Sequence, residues 1–224
     1  MYNLLTTENL LFFLFSTIFW PSTFYCMSFC HSNLKIVKNI THFFHAILFI
    51  FLYKMIDHTI IDYPIILSFG FYFCDLFYIL HNIVIKKERF IRHFPYVIHH
   101  FITNYALYIA LNNYCREQIL YIFYILEYSN LVLYVGYHIQ KEYSTYKNLI
   151  LVVQCFQFVW YTYFRVIRFV IYMFNIFSIY YNVYLSIQLV AIILFLMGVT
   201  WSWKIFQKCL YFLKIETIDS DKLD

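Results

Sequence analysis

Seven apolar runs, each near the length of a bilayer crossing, constrain this chain more than any other feature. They fall near 10–30, 40–56, 62–81, 94–111, 118–138, 149–174 and 179–203. A membrane's hydrocarbon core takes about 20 apolar residues as helix. Helix is also one of only two backbone forms that satisfy their own polar groups there. Composition removes the soluble alternative, because 63% of the 224 residues are hydrophobic and 12% are charged. An ordinary soluble domain carries about 25% charged residues, and one core of this size could not hide the apolar remainder. Three glycines and three prolines leave no room for a loop-rich β-protein or a disordered chain. The expected fold class is all-α, a polytopic transmembrane helix bundle of about seven spans.

Charges in the connections give a direction. Lys35 and Lys38 lie in 31–39, Lys86, Lys87, Arg89 and Arg92 in 82–93, and Lys141 and Lys147 in 139–148. Lys204, Lys208 and Lys214 follow the last span, whereas the alternate connections are poor in base. The positive-inside rule then predicts a lumenal N-terminus and a cytosolic C-terminus. On that topology the sequon Asn39-Ile-Thr41 faces the cytosol and stays unmodified. The first nine residues carry Glu8 and no Lys or Arg, the reverse of a signal peptide's basic start, so no secretory signal is expected. The net charge of +4 is spread over short connections, which points away from nucleic acid as a partner. Six cysteines form no CxxC pair and mostly lie in apolar runs, so neither a disulfide framework nor a metal site is expected.

Polar residues inside the spans are the informative ones, since a charge at mid-bilayer costs at least about 2.5 kcal/mol and therefore turns inward. In the sixth span Gln154, Gln157, Tyr161, Arg165, Arg168 and Tyr172 recur at helical spacing on one face. Ser68, Tyr72, Asp75, Ile79 and Asn82 do the same in the third, and Glu127 and Asn130 share a face of the fifth. In the fourth, His99 lies one turn from Thr103 and His100 one turn from Asn104. Four helices thus present polar faces to an internal cavity or a paired core. Glu127 and Arg165 reach a similar depth from opposite ends of their spans. They form either a structural ion pair or a site carboxylate with an anion-binding arginine. Likewise His99 and His100 serve either as general base or acyl acceptor, or as hydrogen-bonded interior histidines. A di-metal lipid oxidase would need several converging HxxHH-like clusters, and the remaining histidines are scattered.

The order of these features resembles the TLC domain, named for the translocating-chain-associated, longevity-assurance and neuronal-lipofuscinosis membrane proteins. "KNITHFFHAILFIFLY" is similar to the family's opening helix, with His45 at its histidine. "LSFGFYFCDLFYIL" resembles the helix that supplies Gly70 and Asp75, and "FPYVIHHFITNYALYIAL" the one with His99 and His100. "IFYILEYSNLVLYVGYHI" is similar to the helix where Glu127, Ser129 and Asn130 match. "FQFVWYTYFRVIRFVIYMF" resembles the F-x-x-x-R helix carrying Arg165, and "GVTWSWKIFQKCL" the closing helix. The resemblance divides the chain into an N-terminal helix with a basic loop (1–37), a six-helix bundle (38–214) and a short polar cytosolic tail (215–224).

The resemblance implies a lipid-sized internal cavity, usually in the endoplasmic reticulum. Ceramide synthases of this family carry HHxxT followed by HDxSD. This chain keeps His99-His100-Phe101-Ile102-Thr103 but reads Leu126-Glu127-Tyr128-Ser129-Asn130 in the second element. The Glu and Asn version is closer to the smaller TLC proteins linked to phospholipid composition, lipid sensing or lipid transfer. The first implied function is therefore lipid homeostasis with membrane lipids as partners and no cofactor. Arg165, Asn130, Thr103, Asn104, Gln157 and Tyr161 would then contact lipid or headgroup. The alternative is an acyltransferase with acyl-CoA as substrate, in which His99, His100, Asp75 and Glu127 are catalytic. A seven-helix receptor or transporter shares the topology but should show more Gly and Pro breaks. Homo-oligomerisation stays open.

Overall fold

The computed structural model describes residues 7–55, 62–112, 115–179 and 185–220, and every described element is helical. The helices are α1 (Thr7–Cys30), α2 (Leu34–Met55), α3 (Asp62–Val84), α4 (Phe90–Leu111) and α5 (Arg116–Glu142), followed by α6 (Lys147–Thr162). A π-helical stretch, Tyr163–Arg168, joins α6 directly to α7 (Phe169–Ile179), and α8 (Leu185–Ser220) closes the chain. Counting α6 to α7 as one rod gives seven helices. Six of them are long and apolar enough to cross a membrane. The exception is α4, which has the length but carries His99, His100 and Asn104 in its middle. Large side chains such as Leu11, Ile18, Phe29, Phe101 and Phe174 stand exposed along these helices. Water would reject such a surface, and lipid accepts it.

Two boundaries bear on the reading of the chain's charges. The sequence places Lys35 and Lys38 in a connection, but α2 starts at Leu34 and takes both into its first turns. The apolar run that defines the span begins later than the backbone hydrogen bonding does. Asn33 opens the helix earlier, its Oδ1 accepting the Lys35 N–H at 3.0 Å. At the other end, residues 215–220, expected as a polar tail, continue α8.

The chain forms two compact units, Met1–Tyr124 and Ile125–Asp224, with the boundary inside α5. In the first, α1 and α3 run parallel, with the Ser16 hydroxyl and the Trp20 indole both donating to the Leu67 carbonyl at 3.0 and 2.9 Å. Farther along both helices, the rings of Phe24 and Tyr78 meet with centroids 5.9 Å apart. Helix α2 runs antiparallel to α3, so His45 meets Ser68 while Lys38 meets Asp75. Helix α4 is antiparallel to α3 as well, through His100 and Asp75. The crossing of α1 on α3 is close because Gly70 has no side chain, and a methyl built there would overlap the Ser16 hydroxyl.

The second unit repeats the device. A methyl on Gly136 of α5 would overlap the Gln157 amide of α6, and one on Gly198 of α8 would come within 2.9 Å of Arg165 Cγ. The chain's three glycines therefore mark three helix crossings. Small residues at crossings let backbones approach where lipid gives no hydrophobic drive for association.

Candidate functional site

Asp75 is the hub of the first unit. It projects from α3 on the face that also carries Ser68, Tyr72, Ile79 and Asn82, all buried as the stripe predicts. Its Oδ1 accepts from Lys38 Nζ at 2.7 Å, and its Oδ2 lies 2.9 Å from His100 Nε2 and 3.5 Å from His42 Nε2. Three helices thus bring a cation and two imidazoles to one carboxylate that is only 9% exposed. A lone carboxylate at that burial would be very costly, and the converging donors are what make it tolerable. His45 stands one turn farther along α2, hydrogen-bonded to the Ser68 hydroxyl at 3.0 Å and stacked on Phe71 with ring centroids 3.9 Å apart. It holds the α2–α3 contact in register.

His100 uses Nε2 for Asp75, while its buried Nδ1 makes no hydrogen bond among the described residues. A carboxylate on one nitrogen fixes the tautomer and orientation of the ring. His99 is half-buried, and its ring lies 6.2 Å from that of Tyr72, with His100 at 5.5 Å from the same ring. The two neighbours therefore divide as helix geometry demands, His100 toward the carboxylate and His99 along the aromatic wall. Thr103 is buried; Asn104 is half-buried, and its Oδ1 makes no hydrogen bond among the described residues. No group of three or more His, Cys, Asp or Glu side chains among the described residues could hold a metal ion.

Asp75 borders a cavity of about 380 Å³ between α1, α2 and α3. Its walls include Trp20, Phe24, Phe71 and Tyr78, and its polar edge is formed by Lys38, His42 and Asp75. That size falls within the ~300–1,000 Å³ range of ligand pockets, and an apolar wall with a few converging polar groups is their usual chemistry.

The second unit holds the other candidate residues. Glu127 is 1% exposed and Arg165 2%. Asn130 bridges them, its Nδ2 lying 3.5 Å from Glu127 Oε2 and its Oδ1 accepting from Arg165 Nη2 at 3.4 Å. Arg165 Nε also donates to the Tyr161 hydroxyl at 3.2 Å, and the guanidinium lies 5.8 Å from the Trp201 ring centroid. Gln154 donates to Gln157 at 2.6 Å, and Gln157 donates to the Val132 carbonyl at 2.7 Å. Gln157, expected to contact lipid, is thereby committed to tying α6 to α5.

Arg168 and Tyr172 depart from the expected stripe. Gln154, Gln157, Tyr161 and Arg165 are buried, but Arg168 is exposed, and the inward positions beyond it are Phe169, Met173 and Ile176. The cause is the π-helical stretch, whose wider i→i+5 turns advance the inward face by one residue. Sequence spacing assumed an uninterrupted 3.6-residue period and could not contain that shift.

Two members of the Asp75 cluster, Lys38 and His42, were not among the expected site residues. Their signal was present: Lys38, His42 and His45 recur at steps of four and three, which puts them on one face of α2. Reading Lys38 as a loop charge concealed it. Comparison with protein-family models, with curated proteins and with solved structures finds no match for this chain.

Proposed function

We propose that this chain is a TLC-type integral membrane protein of lipid homeostasis that holds a lipid in the α1–α2–α3 cavity. The observation that carries the reading is that cavity, largely aromatic along its walls and charged where Lys38, His42 and Asp75 meet. An acyl chain fits among Trp20, Phe24 and Phe71, and a headgroup fits the polar edge. The motif order of the sequence supports the family, and the pairing of Asp75 with His100 gives two of its motif residues a common purpose. The alternation of basic connections supports a lumenal N-terminus and a cytosolic C-terminus, and the motif resemblance supports the endoplasmic reticulum as the membrane. Purified protein should carry a co-purifying lipid that Cys74→Trp, which fills the cavity, displaces. Equal lipid content in both proteins would remove the cavity from the reading.

A second reading, acyl transfer from acyl-CoA, draws on one specific observation. Asp75 orients the His100 ring through Nε2 and leaves Nδ1 without a hydrogen bond among the described residues, an arrangement of the kind a general base uses. Labelled acyl-CoA supplied to membranes of a host lacking ceramide synthases separates the two. Lipid holding predicts no acylated product that depends on the histidines. A product lost on changing His99 and His100 together to Ala would establish the enzyme instead.

A further inference from the structure

We propose that the α1–α2–α3 cavity selects a single-chain lipid with a phosphate headgroup, held by Lys38 and Lys86 over the ring of Tyr78. The inference rests on the lipid-holding reading and adds the chemistry of its ligand. Tyr78 lines the cavity, and two cations approach it, Lys38 Nζ at 4.9 Å from its ring centroid and Lys86 Nζ at 5.8 Å. Lys38 comes from α2, whereas Lys86 lies just past the end of α3, so the two ammonium groups reach the same ring from different elements. One of Lys38's three N–H donors is engaged by Asp75. Its side chain remains 30% exposed, and Lys86 is exposed too.

Charge decides the sign of the headgroup. Asp75 is the one carboxylate among the cavity's lining residues, and Lys38, His42 and His100 already surround it. An amine headgroup would have to displace Lys38 from that carboxylate. An anion leaves the Lys38–Asp75 pair in place and meets Lys38's remaining N–H donors together with the exposed Lys86 ammonium, and a phosphate presents several acceptor oxygens to them. The connection from α3 to α4 adds Lys87 and Arg89, and its Glu88 is paired with His93 at 2.5 Å. Size favours one chain over two, because about 380 Å³ sits at the small end of ligand pockets.

The same phosphate chemistry could come from a lipid or from free phosphate, and one experiment distinguishes them. The full-length protein in detergent is irradiated with lysophosphatidic acid carrying a diazirine on its chain, and the labelled peptides are mapped. Labelling should fall on residues 20–25 and 74–78. Lys86→Glu should lower it about fivefold, the scale of an exposed charge contact, while Lys86→Arg retains it. Lys86 is exposed, so neither variant threatens the fold. Equal labelling by the same diazirine chain on monoacylglycerol, or no response to Lys86→Glu, overturns the phosphate selection while leaving a lipid cavity. Equal labelling by diacyl phosphatidic acid overturns the single-chain preference. Competition by inorganic phosphate matching that of unlabelled lysophosphatidic acid overturns the lipid as the phosphate's source. Absence of label from both segments overturns the lipid-holding reading along with this one.

Discussion

At the scale of single residues, Asp75 is the position whose loss should cost most. Three partners from two other helices depend on its two oxygens. Removing one member of a buried charged cluster leaves the others unpaired, at about 3 kcal/mol or more. Asp75→Ala should therefore lower the thermal midpoint in detergent sharply, and Asp75→Asn less so, since an amide still accepts from Lys38. A midpoint for Asp75→Ala within a degree of the parent would show that the cluster does not hold the unit together. Asn130 makes a different prediction, because it joins Glu127 to Arg165 without carrying charge. Asn130→Ala should destabilise by about 1–3 kcal/mol through the buried groups it strands. Asn130→Asp, which places a second carboxylate beside Glu127, should be worse than Ala. The sequence already contained Asp75, His100, Glu127 and Arg165 as costly residues needing partners. Which partner each one found was not legible, because spacing along one helix says nothing about what the neighbouring helix presents.

Elements carry the second kind of prediction. Gly136→Ala should push the Gln157 amide off the Val132 carbonyl and strand Gln154, which donates to Gln157. The expected loss is about 1–3 kcal/mol by thermal denaturation. In the background of Gln157→Ala the same methyl should cost much less, so the two substitutions should couple strongly. The π-helical stretch makes an accessibility prediction. In a cysteine-free background, a lipid-soluble maleimide should label Arg168→Cys rapidly and Phe169→Cys slowly. A straight α-helix would reverse the order, since 168 would then continue the face of 161 and 165. Existence and approximate limits of the helices followed from apolar length. The π-helical shift did not, because it depends on how Arg165 and its neighbours pack against other helices.

For the molecule as a whole, orientation follows from the loop charges and is open to a direct check. Protease added to sealed microsomes should remove a C-terminal tag, and protection of that tag would reverse the proposed topology. The Asn39 sequon does not report on orientation. Asn39 lies within α2, and Thr41 is buried with its hydroxyl donating to the Val37 carbonyl at 3.0 Å. A glycosylation acceptor must be an exposed, non-helical segment, so either orientation leaves it bare. Each of the two units has its own polar interior, the Asp75 cluster in one and the Glu127–Asn130–Arg165 link in the other. Loss of binding through Lys86 and loss of stability through Asn130 should accordingly be separable in variants of the full chain.

The sequence by itself determined that the chain is helical, that most of its helices are of membrane-crossing length and apolarity, and which of them carry polar stripes. Those properties depend on residue type and on a fixed helical period, both readable along one strand of text. Tertiary structure decided that Lys38 and His42 join Asp75, that Asn130 mediates between Glu127 and Arg165, and that Arg168 turns outward. It also decided that a cavity opens beside Asp75. Such outcomes depend on the crossing points set by Gly70, Gly136 and Gly198 and on the helix register they impose, quantities no single helix contains. The apolar runs fixed what the chain is made of, and the packing of polar faces fixed what it is able to hold.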